Sequence, residues 1–369
     1  MRILISGAGM AGLSAGITLG ASGHEVTLVE RAHHLRTNGS PIDIRGDALD
    51  IAQQMGILDA IKARQVTMTD RAQFVDADGN VVAELPGDEV SDSADDIEIP
   101  REDLARILHD ALPPSASLVF GESINELHDD GDGVDVRFIS GKQDRFDIVV
   151  GADGMHSLTR RLTFGPEKDY LKHLGFYVAL TELPTERSTD RANSFLNWPG
   201  HMIGITRYND TVLGVMNFRS EWIDYDYHDL DEQKQILIDA FGSHEEWRVP
   251  EILEAVRDDP ELYFDSVSQI HMPTWSKGRV VLVGDAAHCA SGLSGRGTSL
   301  AITGTWFLAQ ALHNHPGDLE AACQEYETAQ RPYATRAQDS AGPGGDLVVP
   351  ATQHDLDARN ERLRRMARR

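Results

Sequence analysis

Cysteine is nearly absent from this chain: Cys289 and Cys323 are the only two among 369 residues. Two thiols cannot build a disulfide framework, so the expected setting is a reducing cytoplasm. Basic residues are scarce too, 34 against 59 acidic ones, for a formal charge of −25. Such a surface repels nucleic acid and anionic lipid, and neither is expected as a partner. No apolar run reaches the roughly 18 residues that a membrane-spanning helix needs. No basic region precedes the first apolar strand, which predicts that there is no secretory leader. The histidines, such as His33, His34, His201, His271 and His288, lack metal-ligand spacing, so no metal is expected. There is no Ser-His-Asp pattern and no nucleophile elbow.

What is present begins at the first residues. Arg2-Ile-Leu-Ile-Ser6 reads as a short buried strand, followed by Gly7-Ala-Gly9-Met10-Ala11-Gly12 and a stretch with helical spacing that ends at Gly23. Glu25 to Glu30 is a second strand. This is the opening of a βαβ dinucleotide unit. Gly7 permits the tight turn, Gly9 lets a pyrophosphate approach the backbone, and Gly12 lets the helix pack on the strand. Glu30 stands where a carboxylate is needed for ribose hydroxyls.

Two later segments repeat the theme of an apolar strand, a turn and an acid. One is Phe146-Asp-Ile-Val-Val-Gly-Ala-Asp153-Gly154; the other is Val281-Leu-Val-Gly-Asp285-Ala-Ala-His288, followed by Gly295-Arg296-Gly297-Thr298-Ser299 and a helix-like run. Two strand ends that each open a helix can hold a long cofactor at both ends, which points to flavin adenine dinucleotide (FAD).

Between them, Phe176–Leu183, Asn193–Trp198, Met202–Arg207 and Val212–Phe218 read as strands, with Asn209-Asp210 as a hairpin turn. The expected architecture is α/β: a Rossmann-like FAD-binding domain with an inserted, mostly antiparallel substrate sheet and a C-terminal helix. The expected divisions are 1–169 and 276–340 for the cofactor domain, 170–275 for the sheet, and 341–369 for a helical tail set off by a break near Gly342-Pro-Gly-Gly345. The acidic stretch from Asp88 to Glu98 reads as a solvated loop. The six arginines from Arg359 to Arg369 read as one helix facing an acidic body and complementing its own dipole.

Three ordered motifs resemble the group A flavoprotein monooxygenases, the family of p-hydroxybenzoate hydroxylase: the Gly7 to Gly12 loop, Gly151-Ala-Asp153-Gly154-Met-His-Ser157-x-x-Arg160, and Gly284-Asp285-Ala-Ala-His288. The likeness is greatest to compact members that inactivate tetracyclines or tailor antibiotics. It implies that Asp285 bonds the ribityl chain, that Gly295 to Ser299 start a helix facing the flavin pyrimidine, and that Arg101 and Arg31 contact the cofactor. Asp153 and Arg160 would serve FAD and nicotinamide binding, with a purely structural turn as the competing reading for Asp153. NAD(P)H is implied as a transient co-substrate, and oxygen from dioxygen would pass through a flavin C4a-hydroperoxide to an aromatic or polyketide-like small molecule. A monomer or weak homodimer is expected.

Two positions depart from the family pattern. Gly292 stands where a proline is usual, and Arg296 replaces a glutamine. Both leave open a Baeyer–Villiger, reductive or cyclising enzyme of the same fold, and an FAD-binding sensor is the non-enzyme alternative. Substrate lining is expected from Phe195, Trp198, Met202, Met216 and Phe218, with Gly292 beside them. No catalytic side chain is identified, and Cys289 reads as a buried structural thiol.

Overall fold

The computed structural model describes residues 1–35, 39–66, 72–85, 93, 95–184 and 192–367. Its centre is a six-stranded sheet in the order Ser276–Lys277, Val280–Leu282, Ile148–Gly151, Arg2–Ser6, Glu25–Glu30, Ala116–Phe120. The last five strands run parallel; only Ser276–Lys277 is antiparallel to its neighbour. A parallel sheet must be covered on both faces, and the first strand shows how alternation achieves this. Ile3 and Ile5 enter the core beneath the helices Met10–Ala21 and Gly297–Asn314. Leu4 points the other way, onto a three-stranded sheet carrying Ile124, Val134, Val136, Phe138 and Phe146.

The second large sheet has seven strands, in the order Tyr263–Ile270, Leu171–Glu182, Thr211–Arg219, His201–Tyr208, Asn193–Trp198, Ala72–Val75, Val81–Leu85. All its pairs are antiparallel except Asn193–Trp198 with Ala72–Val75. Two of its strands therefore come from chain well ahead of residue 170. One face of this sheet is covered by the helices Leu230–Phe241 and Val249–Asp258. The other turns toward the end of the long helix Leu319–Val348 and the turn Gly292–Ser294.

The helix Leu319–Val348 passes without interruption through Gly342-Pro-Gly-Gly345, where a break was expected. The small residues serve contact instead. A Cβ on Gly345 would lie 2.7 Å from the Phe176 ring, and one on Gly344 would lie 3.1 Å from the Leu293 carbonyl. The tail forms its own helix, Gln353–Met366, opened by a capping box between Thr352 and Asp355. Its arginines do not simply face acids. Arg359 is buried, lies 3.5 Å above the Phe74 ring and donates to the Leu347 carbonyl and Asn197 Oδ1; Arg364 donates to the Val82 carbonyl. Of the acidic stretch, residues 88–92 and 94 lie outside the described residues, as do 368–369 of the tail. Glu98 is not in a loop: the strand Ile97–Ile99 pairs with Ile42–Ile44. Among the described residues no helix is long and apolar enough to cross a membrane.

Candidate cofactor site

Four neighbouring parallel strands deliver their carboxyl ends to one edge of the central sheet: Asp285 beyond Leu282, Asp153 beyond Gly151, Gly7 beyond Ser6, and Glu30 itself. Ligands of open α/β sheets bind along such an edge. The loops touch one another. A Cβ on Gly7, whose φ is +99°, would lie 2.5 Å from the Ala152 carbonyl oxygen, and one on Gly284 would lie 2.7 Å from the Ala11 methyl. Gly12 has no room either, because its Cβ would fall 1.9 Å from the Gly7 oxygen. Gly9 differs: it is exposed and no atom lies within 4 Å of where its Cβ would be. Gly7 and Gly12 therefore hold the loop together, while the backbone at Gly9 is open for a ligand.

Two long helices begin at this edge. Neither Met10–Ala21 nor Gly297–Asn314 has a capping side chain or an acidic residue in its first turn. Uncapped N–H groups and the positive end of the helix dipole make both suitable for negative charge. A cofactor with a pyrophosphate at one end and an electron-accepting ring at the other fits this donor set.

The remaining expected residues separate by what they touch. Glu30 accepts the Ala8 N–H on Oε2 at 2.8 Å and the Ala32 N–H on Oε1 at 2.9 Å. It thus joins the glycine loop to its own strand end, and each oxygen retains acceptor capacity for a hydroxyl. Arg31 is exposed, with Nη1 3.2 Å from His228 Nε2. Arg101 is exposed at the start of the helix Arg101–Asp110. Asp285 is reached by solvent although protein surrounds it. Desolvation raises its carboxyl pKa, opposed by the charge of Arg101 and by the Cys289 thiol. Met10 and Ala11 are buried in the helix start.

Gly295 adopts a left-handed conformation, φ +59°, against Arg45 and Asp43. Arg296 is the N-cap residue of the helix Gly297–Asn314, and its N–H meets Ser294 Oγ at 3.2 Å. Thr298 is buried, and Ser299 Oγ accepts the Arg45 N–H at 2.9 Å. Arg45 and Asp43 were not singled out from sequence, since the strand Ile42–Ile44 has no motif to mark it.

Asp153 is taken up within its own motif. It accepts from the Ser157 hydroxyl at 2.5 Å and from both the N–H and hydroxyl of Thr159 at 2.9 Å, fixing the start of the helix Leu158–Phe164. Arg160 is fully buried and donates to the Ala286 carbonyl at 2.9 Å, so it joins the second motif to the third. For Asp153 these contacts are those of the structural turn. Cys289 is buried, its thiol pKa pushed up by desolvation, with the Ser268 carbonyl at 3.7 Å.

The sheet lining needs correction. Trp198, Met216 and Phe218 lie on the face covered by helices, not on the face toward the Gly292 turn. Met216 is fully buried, Phe218 stacks on Tyr177 at 5.3 Å, and Trp198 stacks on His244 at 3.9 Å. Strand alternation decides this, since residues two apart share a face. Phe195 and Met202 are on the other face, with Val178, Val215, Phe176 and Leu293, none of which sequence had marked. Gly292 is exposed with open space around it. A groove of about 1010 Å³ lies along Thr274, Glu327, Arg331 and Asp339, and no motif residue lines it. Among the described residues no cluster of His, Cys, Asp and Glu is arranged for a metal.

Comparison with known proteins agrees with this geometry. A family described as FAD binding domain matches residues 1–198 and 262–341. An uncharacterized protein of Mycobacterium tuberculosis strain H37Rv is 39% identical over 88% of this chain and 86% of its own length. A flavin-dependent monooxygenase of Legionella longbeachae is 34% identical over 92% of this chain and 87% of its own. The crystal structure of tetracycline destructase Tet(51) superposes with a TM-score of 0.87 at 31% identity, covering 99% of this chain and 96% of that one. With its motifs brought to one sheet edge and this match along most of its length, the chain belongs to the group A flavoprotein monooxygenases and is an FAD-dependent oxidoreductase.

Proposed function

We propose that the enzyme uses NAD(P)H and dioxygen to hydroxylate an aromatic or polyketide-like small molecule. The balance is substrate C–H plus O₂, NAD(P)H and H⁺, giving substrate C–OH, NAD(P)⁺ and water. When bound, FAD supplies the redox chemistry, taking two electrons from the nicotinamide and activating dioxygen. The observation carrying this reading is the row of four strand ends facing two uncapped helix N-termini. The likeness to a tetracycline destructase along the whole chain makes tetracyclines the first substrate class to test.

In this reading the backbone at Gly9, Met10 and Ala11 holds the pyrophosphate, while Gly7 and Gly12 shape the loop. Glu30 takes the adenosine ribose, and Arg31 and Arg101 lie against the cofactor's anionic parts. Asp285 receives a ribityl hydroxyl. The helix start at Gly295, Arg296, Gly297, Thr298 and Ser299 stabilises negative charge on the ring system. Asp153 positions the helix that carries Arg160. Phe195, Met202, Val178 and Val215 form the apolar side of the substrate cleft and exclude water from it. Residues 1–169 and 276–340 act as the cofactor domain, except that the strands Ala72–Val75 and Val81–Leu85 join the sheet of 170–275 to complete the substrate domain.

The test is NADPH or NADH oxidation in air with tetracyclines, anthracyclines and phenols, with product mass followed. A gain of one oxygen atom supports the proposal. Substrate-dependent NAD(P)H oxidation that leaves the substrate mass unchanged would refute hydroxylation. Failure of both nucleotides to bleach the flavin anaerobically would refute the nicotinamide reading.

A further inference from the structure

Around His156 lies a chain of charges that runs from the second motif out to Glu167 and Asp265, two residues that belong to no motif. Arg160 Nη2 donates to Glu167 Oε2 at 2.6 Å. The other Glu167 oxygen is 2.9 Å from His156 Nδ1, and His156 Nε2 is 3.2 Å from Asp265 Oδ1. The charges alternate along it. An imidazole with a carboxylate on each nitrogen satisfies both only when both nitrogens carry protons. Burial opposes the charged form, but the hydrogen bonds and charges of Asp265 and Glu167 outweigh it and push the His156 pKa up to about 9.

The members of this chain belong to different parts of the fold. His156 follows the strand Ile148–Gly151 of the cofactor sheet, Glu167 opens a short turn, and Asp265 is on the edge strand of the second sheet. The Tyr227 ring, from the segment after Arg219, stacks on His156 at 4.5 Å and 7°. Its neighbour His228 reaches Arg31. Two residues from Asp265 on the same strand face is Tyr263, which is 46% exposed. Desolvation raises the pKa of its hydroxyl, and the charges acting on it include Asp265, Arg101 and Asp285. The same strand is joined to the segment that follows Asp285: the Ile270 N–H donates to the Cys289 carbonyl at 3.0 Å, and Cys289 Sγ lies 3.7 Å from the Ser268 carbonyl.

We propose that protonated His156 is a positioning residue that locks the edge strand Tyr263–Ile270 to the cofactor domain and thereby sets one wall of the FAD cavity. The proposal rests on the reading of the Asp285 cavity as the cofactor site. Loss of the proton turns one ring nitrogen into an acceptor facing a carboxylate oxygen, so one of the two bonds becomes a repulsion. The groups facing the ring are Glu167 and Asp265, with Tyr227 stacked on it and Arg160 behind Glu167.

The experiment follows FAD dissociation from the holoenzyme by flavin fluorescence between pH 7 and 10, in wild type, His156→Gln and Asp265→Asn. The dissociation constant of wild type should rise about tenfold through a midpoint near pH 9, the equivalent of one pKa unit of coupling. His156→Gln should bind more weakly at pH 7 and lack that step, whereas ionisation of the flavin itself appears in both proteins. Asp265→Asn removes one carboxylate and should lower the midpoint by about one unit or more. Parallel profiles in wild type and His156→Gln, or an unmoved midpoint in Asp265→Asn, would overturn the proposal. Two further arms separate it from the cavity assignment. If Asp285→Ala binds FAD as wild type does, the assignment fails. The His156 ring-proton NMR signal, identified by its loss in His156→Gln, should still titrate near pH 9, and titration near the ordinary value would sink the lock whatever FAD does.

Discussion

The cofactor sheet and the substrate sheet are both apolar, yet sequence marks candidate ligand residues sharply in the first and separates them poorly from core in the second. In the cofactor sheet the four parallel strands Val280–Leu282, Ile148–Gly151, Arg2–Ser6 and Glu25–Glu30 end in glycine turns or acids, and parallel pairing puts these ends on one edge. In the substrate sheet both faces are buried. Phe195 and Met202 face the Gly292 turn, while Trp198, Met216 and Phe218 face helices. A ligand leaves a mark where it needs backbone geometry and charge. It leaves little where it needs only apolar surface.

The largest expected effect tests the far face of the substrate sheet. Phe218→Ala should destabilise the fold by about 3–5 kcal/mol, because it empties a core position against Tyr177 and Phe241. At a temperature where the variant remains folded, its KM for the organic substrate should stay near that of wild type. A selective rise in KM without loss of thermal stability would restore Phe218 to the pocket.

On the cofactor side, Asp285→Ala should weaken FAD binding by about 1.5–3 kcal/mol, the range for a hydrogen bond to a charged group. Titration of apoprotein with FAD measures it. Asp239→Ala, on the helix Leu230–Phe241, serves as the control. Equal FAD affinity in both variants would remove Asp285 from the cofactor site.

The junction between the two sheets should respond to pH. The folded-state pKa of His156 is raised to about 9, so its stabilisation is complete below the ordinary histidine value and is lost as pH rises through 9. We expect about 1–3 kcal/mol from this source, read as a fall in thermal midpoint between pH 6.5 and 9 that exceeds the fall in His156→Gln. Matching slopes in the two proteins would show that other groups govern alkaline stability.

The smallest effect concerns Gly292. It lies in the first position of the turn Gly292–Ser294, its φ is not positive, and among the described residues no backbone carbonyl takes its N–H. Proline suits such a position. Gly292→Pro should stabilise by about 0.4–1 kcal/mol through the unfolded chain and lower hydrogen peroxide release per NAD(P)H consumed. Tight coupling already present in wild type would assign the glycine another purpose.

The strands Asn193–Trp198, His201–Tyr208 and Thr211–Arg219 were legible within a residue of their ends, because β-branched and aromatic runs stand between turn residues. Helix continuity through Gly342 to Gly345 was not legible. Glycine and proline there read as a break, whereas close approach of Phe176 and Leu293 demands small residues.

By itself, then, the sequence determined the cofactor. Gly7, Gly9, Gly12, Glu30 and Asp285 sit at strand ends whose backbone demands only certain residues meet, and that local requirement is written in each short segment. Tertiary structure alone decided which face of the second sheet meets the Gly292 turn, that Asp153 holds the start of a helix through Thr159, and that His156 meets both Glu167 and Asp265. Those outcomes depend on register and on partners far along the chain: Phe195 opposite Gly204, and His156 opposite Asp265. A period of two places residues on alternate faces without saying which face will be covered.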